Sequence, residues 1–308
     1  MENDKHIYKV AEHYFEVCFN HNPFHSERMQ ESYAPFELSK DSEQPLFTVS
    51  VCEDVQTDDI TGCLFAEEHP NIETGYHKVF TTNAGWLFEQ TQPFSEHTNG
   101  RVRMDGSFRH AKIAVRGNEL QRWFAFNSAL QICYLLATAH LDTLLTHSSC
   151  VVNDGKAYLF LGKSGTGKST HSSLWLKHIA GTTLLNDDHP IIRASQRGGV
   201  IAYGSPWSGK TPCYKNESAP LGGIVRIRRA TRNSILQLKA VQAYTSLTTS
   251  FAGMIGIPAM ADSRHETIAD VIDRVPCYML NCLPDAEAAK ICHTAVAHIT
   301  NHSEQKRL

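Results

Sequence analysis

The run Gly162-Lys163-Ser164-Gly165-Thr166-Gly167-Lys168-Ser169-Thr170 has the residue types and spacing of a phosphate cradle. It fits G-x-x-x-x-G-K-[ST] through Gly162, Gly167, Lys168 and Ser169. Glycines let consecutive backbone N–H groups converge on a phosphate without Cβ clashes, and a helix N-terminus adds partial positive charge. Lys168 has the reach for the β- and γ-phosphates of a nucleotide, and the Ser169 hydroxyl can ligate Mg²⁺. The flanks suit the motif. Residues 156–161 read as a short apolar strand, and residues 172–179 as a helix with Leu174, Trp175 and Ile179 on its packed side.

A second signal is Leu184-Leu185-Asn186-Asp187-Asp188-His189-Pro190, where two carboxylates end an apolar strand 19 and 20 residues after Lys168. One acidic group there can hold Mg²⁺ while another orients or deprotonates an acceptor hydroxyl. A single strand–helix–strand unit returns the chain to the P-loop, so the pair can face the phosphates. His147, 21 residues before Lys168, precedes the strand that leads into the hairpin and can bond an aspartate or polarise an acceptor.

A third stretch, Tyr203 to Thr211, holds Trp207, Ser208, Gly209 and Lys210 in a tight loop at a strand end. It reads as a substrate loop in which Lys210 contacts an anion and Trp207 stacks on a base or walls the pocket. Arg226, Arg228 and Arg229 read as a solvated basic face, with Arg226 and Arg228 on the same side of a strand.

The P-loop, the tandem aspartates and the preceding histidine together resemble the HPr kinase/phosphorylase family and its relatives of the phosphoenolpyruvate-carboxykinase-like fold. The likeness is closest over about residues 145–192. It implies a catalytic histidine at His147, the P-loop lysine at Lys168 and a Mg²⁺-binding serine at Ser169. It implies the aspartate pair at Asp187 and Asp188, with Asp187 taken as general base and Asp188 as the metal-side residue. Thr170 stands where the family's HPr-directed kinases carry Glu, and their later glycine-rich signature is reduced here to Leu221-Gly222-Gly223-Ile224-Val225. The resemblance therefore implies ATP- and Mg²⁺-dependent phosphoryl transfer to a hydroxyl of a small molecule or a protein serine, and leaves the acceptor open. A carboxykinase-like reaction and a non-catalytic nucleotide-sensing module stay open beside it.

The elements that must position these residues are those of an α/β protein. The P-loop kinase-like domain is expected over 119–308, opened by a buried connecting helix from about 119 to 145. Residues 153–155, Asn-Asp-Gly, carry a hairpin signal, and Ser263 with Glu266 has capping-box spacing. Before this domain lies a smaller β-rich region, 1–118, with a short leading helix over 7–19 and an antiparallel sheet over about 45–118. The chain has 308 residues, enough for one large and one smaller domain, and a formal net charge of -3. No basic excess supports a nucleic-acid partner. The nine cysteines lack C-x-x-C spacing, the apolar run 125–145 is interrupted by polar residues, and the N-terminus has no signal-like pattern. The expectation is a cytoplasmic protein with no membrane partner, and a homo-oligomer stays open.

Overall fold

The computed structural model describes residues 5–19, 27–39, 44–66, 76–195, 198–209, 211–253 and 257–304; side chains 27, 28, 30, 258, 259 and 298–304 are not described. It is a mixed α/β protein with two sheets, richer in strand than helix. Its chain divides into two compact units, Met1–Thr138 with Met254–Pro258, and Ala139–Gly253 with Ala259–Leu308.

The first unit opens with β1 (Lys5–Val10) and β2 (His13–Cys18), then α1 (Glu27–Tyr33). Strands β3 (Phe47–Cys52), β4 (Ile60–Ala66), β5 (Tyr76–Thr82), β6 (Gly85–Thr91), β7 (Gly100–Asp105) and β8 (His110–Val115) follow, and α2 (Glu119–Thr138) closes the unit. The eight strands form one sheet in the order β1-β2-β3-β8-β7-β6-β5-β4. Strand β3 pairs in parallel with β2 and β8, and the other pairings are antiparallel.

The expected leading helix over 7–19 is instead a hairpin. Ala11 and Glu12 turn the chain with φ of 46° and 64° at the two central positions, the left-handed pair that a two-residue hairpin requires. The apolar residues then obey period two: His13, Phe15 and Val17 are buried while Tyr14, Glu16 and Cys18 are half-buried. Phe15 stacks on Phe47 at 5.0 Å, and both lie against Tyr134 of α2, whose hydroxyl donates to Val10 O. These contacts draw α2 into the first unit, so the division falls after Thr138 and not at 118/119. The helix also stops short of the expected 145. Asp142 takes a left-handed φ of 48°, and residues 143–145 turn into a strand.

The second unit holds β9 (Thr143–Leu145), β10 (Ser148–Asn153), β11 (Lys156–Leu161), α3 (Lys168–His178), β12 (Thr183–Asp188), β13 (Ile191–Ser195) and β14 (Gly199–Tyr203). After these come β15 (Ser218–Arg229), β16 (Ser234–Gln237), α4 (Ala240–Leu247), α5 (Pro258–Arg274), β17 (Cys277–Cys282) and α6 (Ala286–Glu304). The sheet runs β12-β10-β11-β15-β14-β13-β9, with β17 beside β15 and β16 beside β17. One face packs Leu159, Leu161 and Ile224 against Leu247 of α4 and Ile268 and Val271 of α5. The other packs Tyr158, Phe160 and Val225 against Trp175 of α3 and Ala288, Cys292 and Val296 of α6. Ser263 lies inside α5 and donates to Ala139 O, so it is not the helix cap expected from its spacing. No helix among the described residues is long and apolar enough to cross a membrane.

Candidate active site

The hairpin β10–β11 sets the site. Asp154 and Gly155 adopt φ of 48° and 71°, the turn that the Asp-Gly sequence favours, and the register runs to Ser148 opposite Leu161. His147, just before β10, and Gly162, just after β11, are thereby brought to the same end of the sheet. Lys168, the first residue of α3, closes the group: its Nζ donates to Gly162 O at 3.2 Å and lies 3.1 Å from His147 Nε2. Gly167, the residue before α3, has a φ of 114° and leaves the helix N-terminus without a side-chain cap. The first amides of a helix have no partner within it, so this end is open to a phosphate.

Two of the loop's carbonyls are held from outside. Arg229 Nε donates to Thr166 O at 3.3 Å, and its Nη2 donates to Gly165 O. The C=O and N–H of one trans peptide point in opposite directions, so the bond to Thr166 O turns the Gly167 N–H away from Arg229. Thr166 Oγ1 donates to Lys163 O at 2.6 Å and tightens the turn from inside.

Strand β12 pairs with β10, so β10 separates the aspartates' strand from the P-loop strand β11. The register places Asp187 opposite Ser149, whose hydroxyl is 2.5 Å from that of Ser172 in α3. Asp187 therefore lies on the α3 face of the sheet, and it is buried. Asp188 is half-buried and reaches the histidines: Oδ1 is 3.4 Å from His147 Nε2, and Oδ2 is 3.2 Å from His189 Nδ1. The two imidazoles stack at 5.8 Å.

The electrostatics follow from this packing. Burial pushes the His147 imidazolium below its usual pKa, Lys168 adds to that, and Asp188 opposes it. Burial likewise lowers Lys168, against the two aspartates. Burial alone would raise the Asp188 carboxyl, but the hydrogen bond and charge of His189, with His147 and Lys168, outweigh it and hold Asp188 below the usual range. A neutral His147 accepts from the Lys168 ammonium through Nε2. Once protonated it must turn that same nitrogen to Asp188, because one ring nitrogen cannot serve both partners.

The loop after β14 is anchored on Asn186, which is fully buried. Its amide donates to Trp207 O at 3.2 Å and to Ser205 O at 3.3 Å, and its Oδ1 accepts the His189 N–H at 2.9 Å. Gly209 N–H donates to Asp187 O at 2.8 Å, and Ser208 bridges Asp188. A Cβ at Gly204 would lie 2.0 Å from Lys215 O, so only glycine fits that bend. Trp207 is 1% exposed, which makes it the anchor of the loop and leaves its ring no open face for a base. Ser208 and Gly209 stand at the aspartates, whereas Lys210 lies outside the described residues.

Spacing pointed to His147, Lys168, Asp187 and Asp188, and the fold brings them together. Asn186, His189 and Arg229 went unassigned as site residues. The first two flank the aspartates in sequence, which was the available signal; Arg229 carried none beyond its place in a basic run.

Mg²⁺ takes oxygen donors, and the exposed Ser169 hydroxyl with the carboxylates of β12 is such a set. No group of three or more His, Cys, Asp and Glu able to hold a metal occurs among the described residues. No protein-family model matches the chain, and no curated protein matches it.

Proposed function

We propose that the second unit binds Mg-ATP and transfers the γ-phosphoryl group to a hydroxyl of a small molecule or a protein serine, on a core of the HPr-kinase-related, phosphoenolpyruvate-carboxykinase-like type. The observation that carries this reading is the meeting of the P-loop lysine with a histidine, 3.1 Å apart, on which a carboxylate also converges. Lys168 and the loop amides bind the phosphates and offset charge that develops on them. The acceptor oxygen bonds to the γ-phosphorus as the bond to the β-phosphate oxygen breaks. The hydroxyl proton passes to Nε2 of His147, whose lowered pKa keeps it neutral and ready, and the imidazolium then turns to Asp188.

This gives the proton side to Asp188 and the metal side to Asp187 with Ser169, the reverse of the expected order. Support comes from the register, which sets Asp187 on the α3 face and leaves Asp188 with the histidines. Asp187 and Ser169 would hold Mg²⁺ bound with ATP, which would supply charge neutralisation at the phosphates.

The test is a phosphorus-NMR time course of Mg-ATP with the full chain and a metabolite extract or a protein acceptor mixture, beside binding of Mg-ATP by calorimetry. His147→Gln is expected to keep nucleotide binding and lose the new phosphomonoester signal. Wild-type protein that binds no Mg-ATP, or His147→Gln with full transfer, refutes the proposal.

A further inference from the structure

Beside the P-loop, on the β15–β17 side, lies a cleft of about 750 Å³ lined by Lys163, Arg226, Arg228 and Arg229, with Thr245 and Thr249 opposite. Among the described residues no carboxylate lines it. Four arginines elsewhere meet acids: Arg101 bonds Glu89, Arg103 bonds Asp59, Arg116 bonds Asp54 and Arg274 bonds Asp270. The cleft thus gathers four cations with no counter-charge on its lining, in a protein whose formal net charge is -3.

The four cations divide into a frame and a pair of open donors. Arg226 Nη1 donates to Ser246 O at 2.8 Å and Ser250 Oγ at 3.2 Å, and Arg229 is tied to the P-loop carbonyls. Arg226 is half-buried, and burial pushes its guanidinium below the usual pKa with nothing opposing it. The side chains of Lys163 and Arg228 are exposed and make no hydrogen bond or ion pair among the described residues. Among the described residues their donors have no acceptor.

The cleft borders the P-loop, whose residues Lys163, Ser164, Gly165 and Thr166 also line it. Arg229, which lines it, takes the carbonyls of Gly165 and Thr166, so the cleft lies on the carbonyl side of that turn. The Gly167 N–H points the other way.

We propose that this cleft is a second anion site, separate from the P-loop cradle, which binds a phosphate-bearing small molecule through Arg228 and Lys163. A dianionic phosphate matches the charge surplus, and the planar guanidinium of Arg228 offers it paired donors. Ser250 links the site to the catalytic group: its Oγ accepts from Arg226, and its carbonyl accepts the His147 N–H at 2.7 Å.

Inorganic phosphate is the probe, measured by equilibrium dialysis on the full chain. The P-loop itself takes phosphate, so Arg228→Gln is compared in the Lys168→Ala background. Lys168→Ala is expected to keep one phosphate site, and adding Arg228→Gln to weaken it by about tenfold or more. Arg228→Lys, which keeps the charge, should retain part of the affinity. The Arg228 side chain makes no hydrogen bond among the described residues, so its loss does not threaten folding. Absence of phosphate binding in Lys168→Ala, or binding unaffected by Arg228→Gln, overturns the proposal. Neither result bears on phosphoryl transfer, which the NMR time course reads by itself.

Discussion

Asn186→Asp isolates the buried amide that fixes the site loop, because it keeps the shape and changes only the donors. The Oδ1 that accepts from His189 N–H at 2.9 Å is retained. The amide nitrogen, which faces Trp207 O at 3.2 Å and Ser205 O at 3.3 Å, becomes an acceptor among acceptors. Each orphaned carbonyl costs about 1–3 kcal/mol, so the expected loss is about 2–5 kcal/mol. At about 2–4 °C per kcal/mol for a unit of this size, Tm should fall by roughly 4–20 °C. The new carboxyl is buried against oxygens, so its folded pKa is raised above the unfolded value of about 4. Its protonated form donates one bond and survives best at low pH, so the deficit relative to wild type should shrink from about pH 7 to about pH 5. Thermal unfolding of both proteins across that range is the assay. A Tm loss under about 2 °C, or a deficit that does not change with pH, refutes the view that Asn186 donors hold the loop.

Two further outcomes test the electrostatics. Lys168→Met removes the like charge that, after burial, depresses His147, so the His147 pKa should rise, read by NMR titration of the imidazole. An unchanged value would mean that the ammonium does not sit against the ring. Burial pushes His171 down from 6.5 to about 4, so between those values the unfolded chain binds more protons than the folded one. Its contribution to stability is therefore full above about 6.5 and falls as pH drops through that window, by at most about 1.4 kcal/mol per unit. His171→Gln, which still accepts from Trp175 Nε1, should flatten the slope in urea unfolding; an unaltered slope would assign it to other groups.

The parts of the fold written in local chemistry were legible. Asp154-Gly155 names its own turn, and the P-loop glycines and lysine fix both the bend and the helix start. What escaped depended on partners distant in sequence. Ala11 and Glu12 are not customary hairpin residues, and the spacing of Ile7, Val10, Tyr14 and Cys18 suits a helix until Phe47 and Tyr134 are known to claim Phe15. Leu144 and Leu145 continue an apolar run, but their burial comes from a strand pairing with β13 and not from another helical turn. The three arginines looked like one solvated face. In the structure each has a different environment, because one meets backbone around Ser246, one stands open and one grips the P-loop.

The hairpin that unites His147 with Gly162 has an implication for how the chain can be cut and extended. The two residues meet through cross-strand register, not through the path that joins them, so the hairpin acts as a ruler read from its open end. Adding one matched residue pair on each strand per face, two and two, lengthens the ruler without moving its zero. The tip carries no such constraint: a Cβ at Gly155 would meet nothing within 4 Å. New termini opened between Asp154 and Gly155 would thus interrupt the connection while leaving His147 and Gly162 in register, which makes chain continuity at this point dispensable to their meeting.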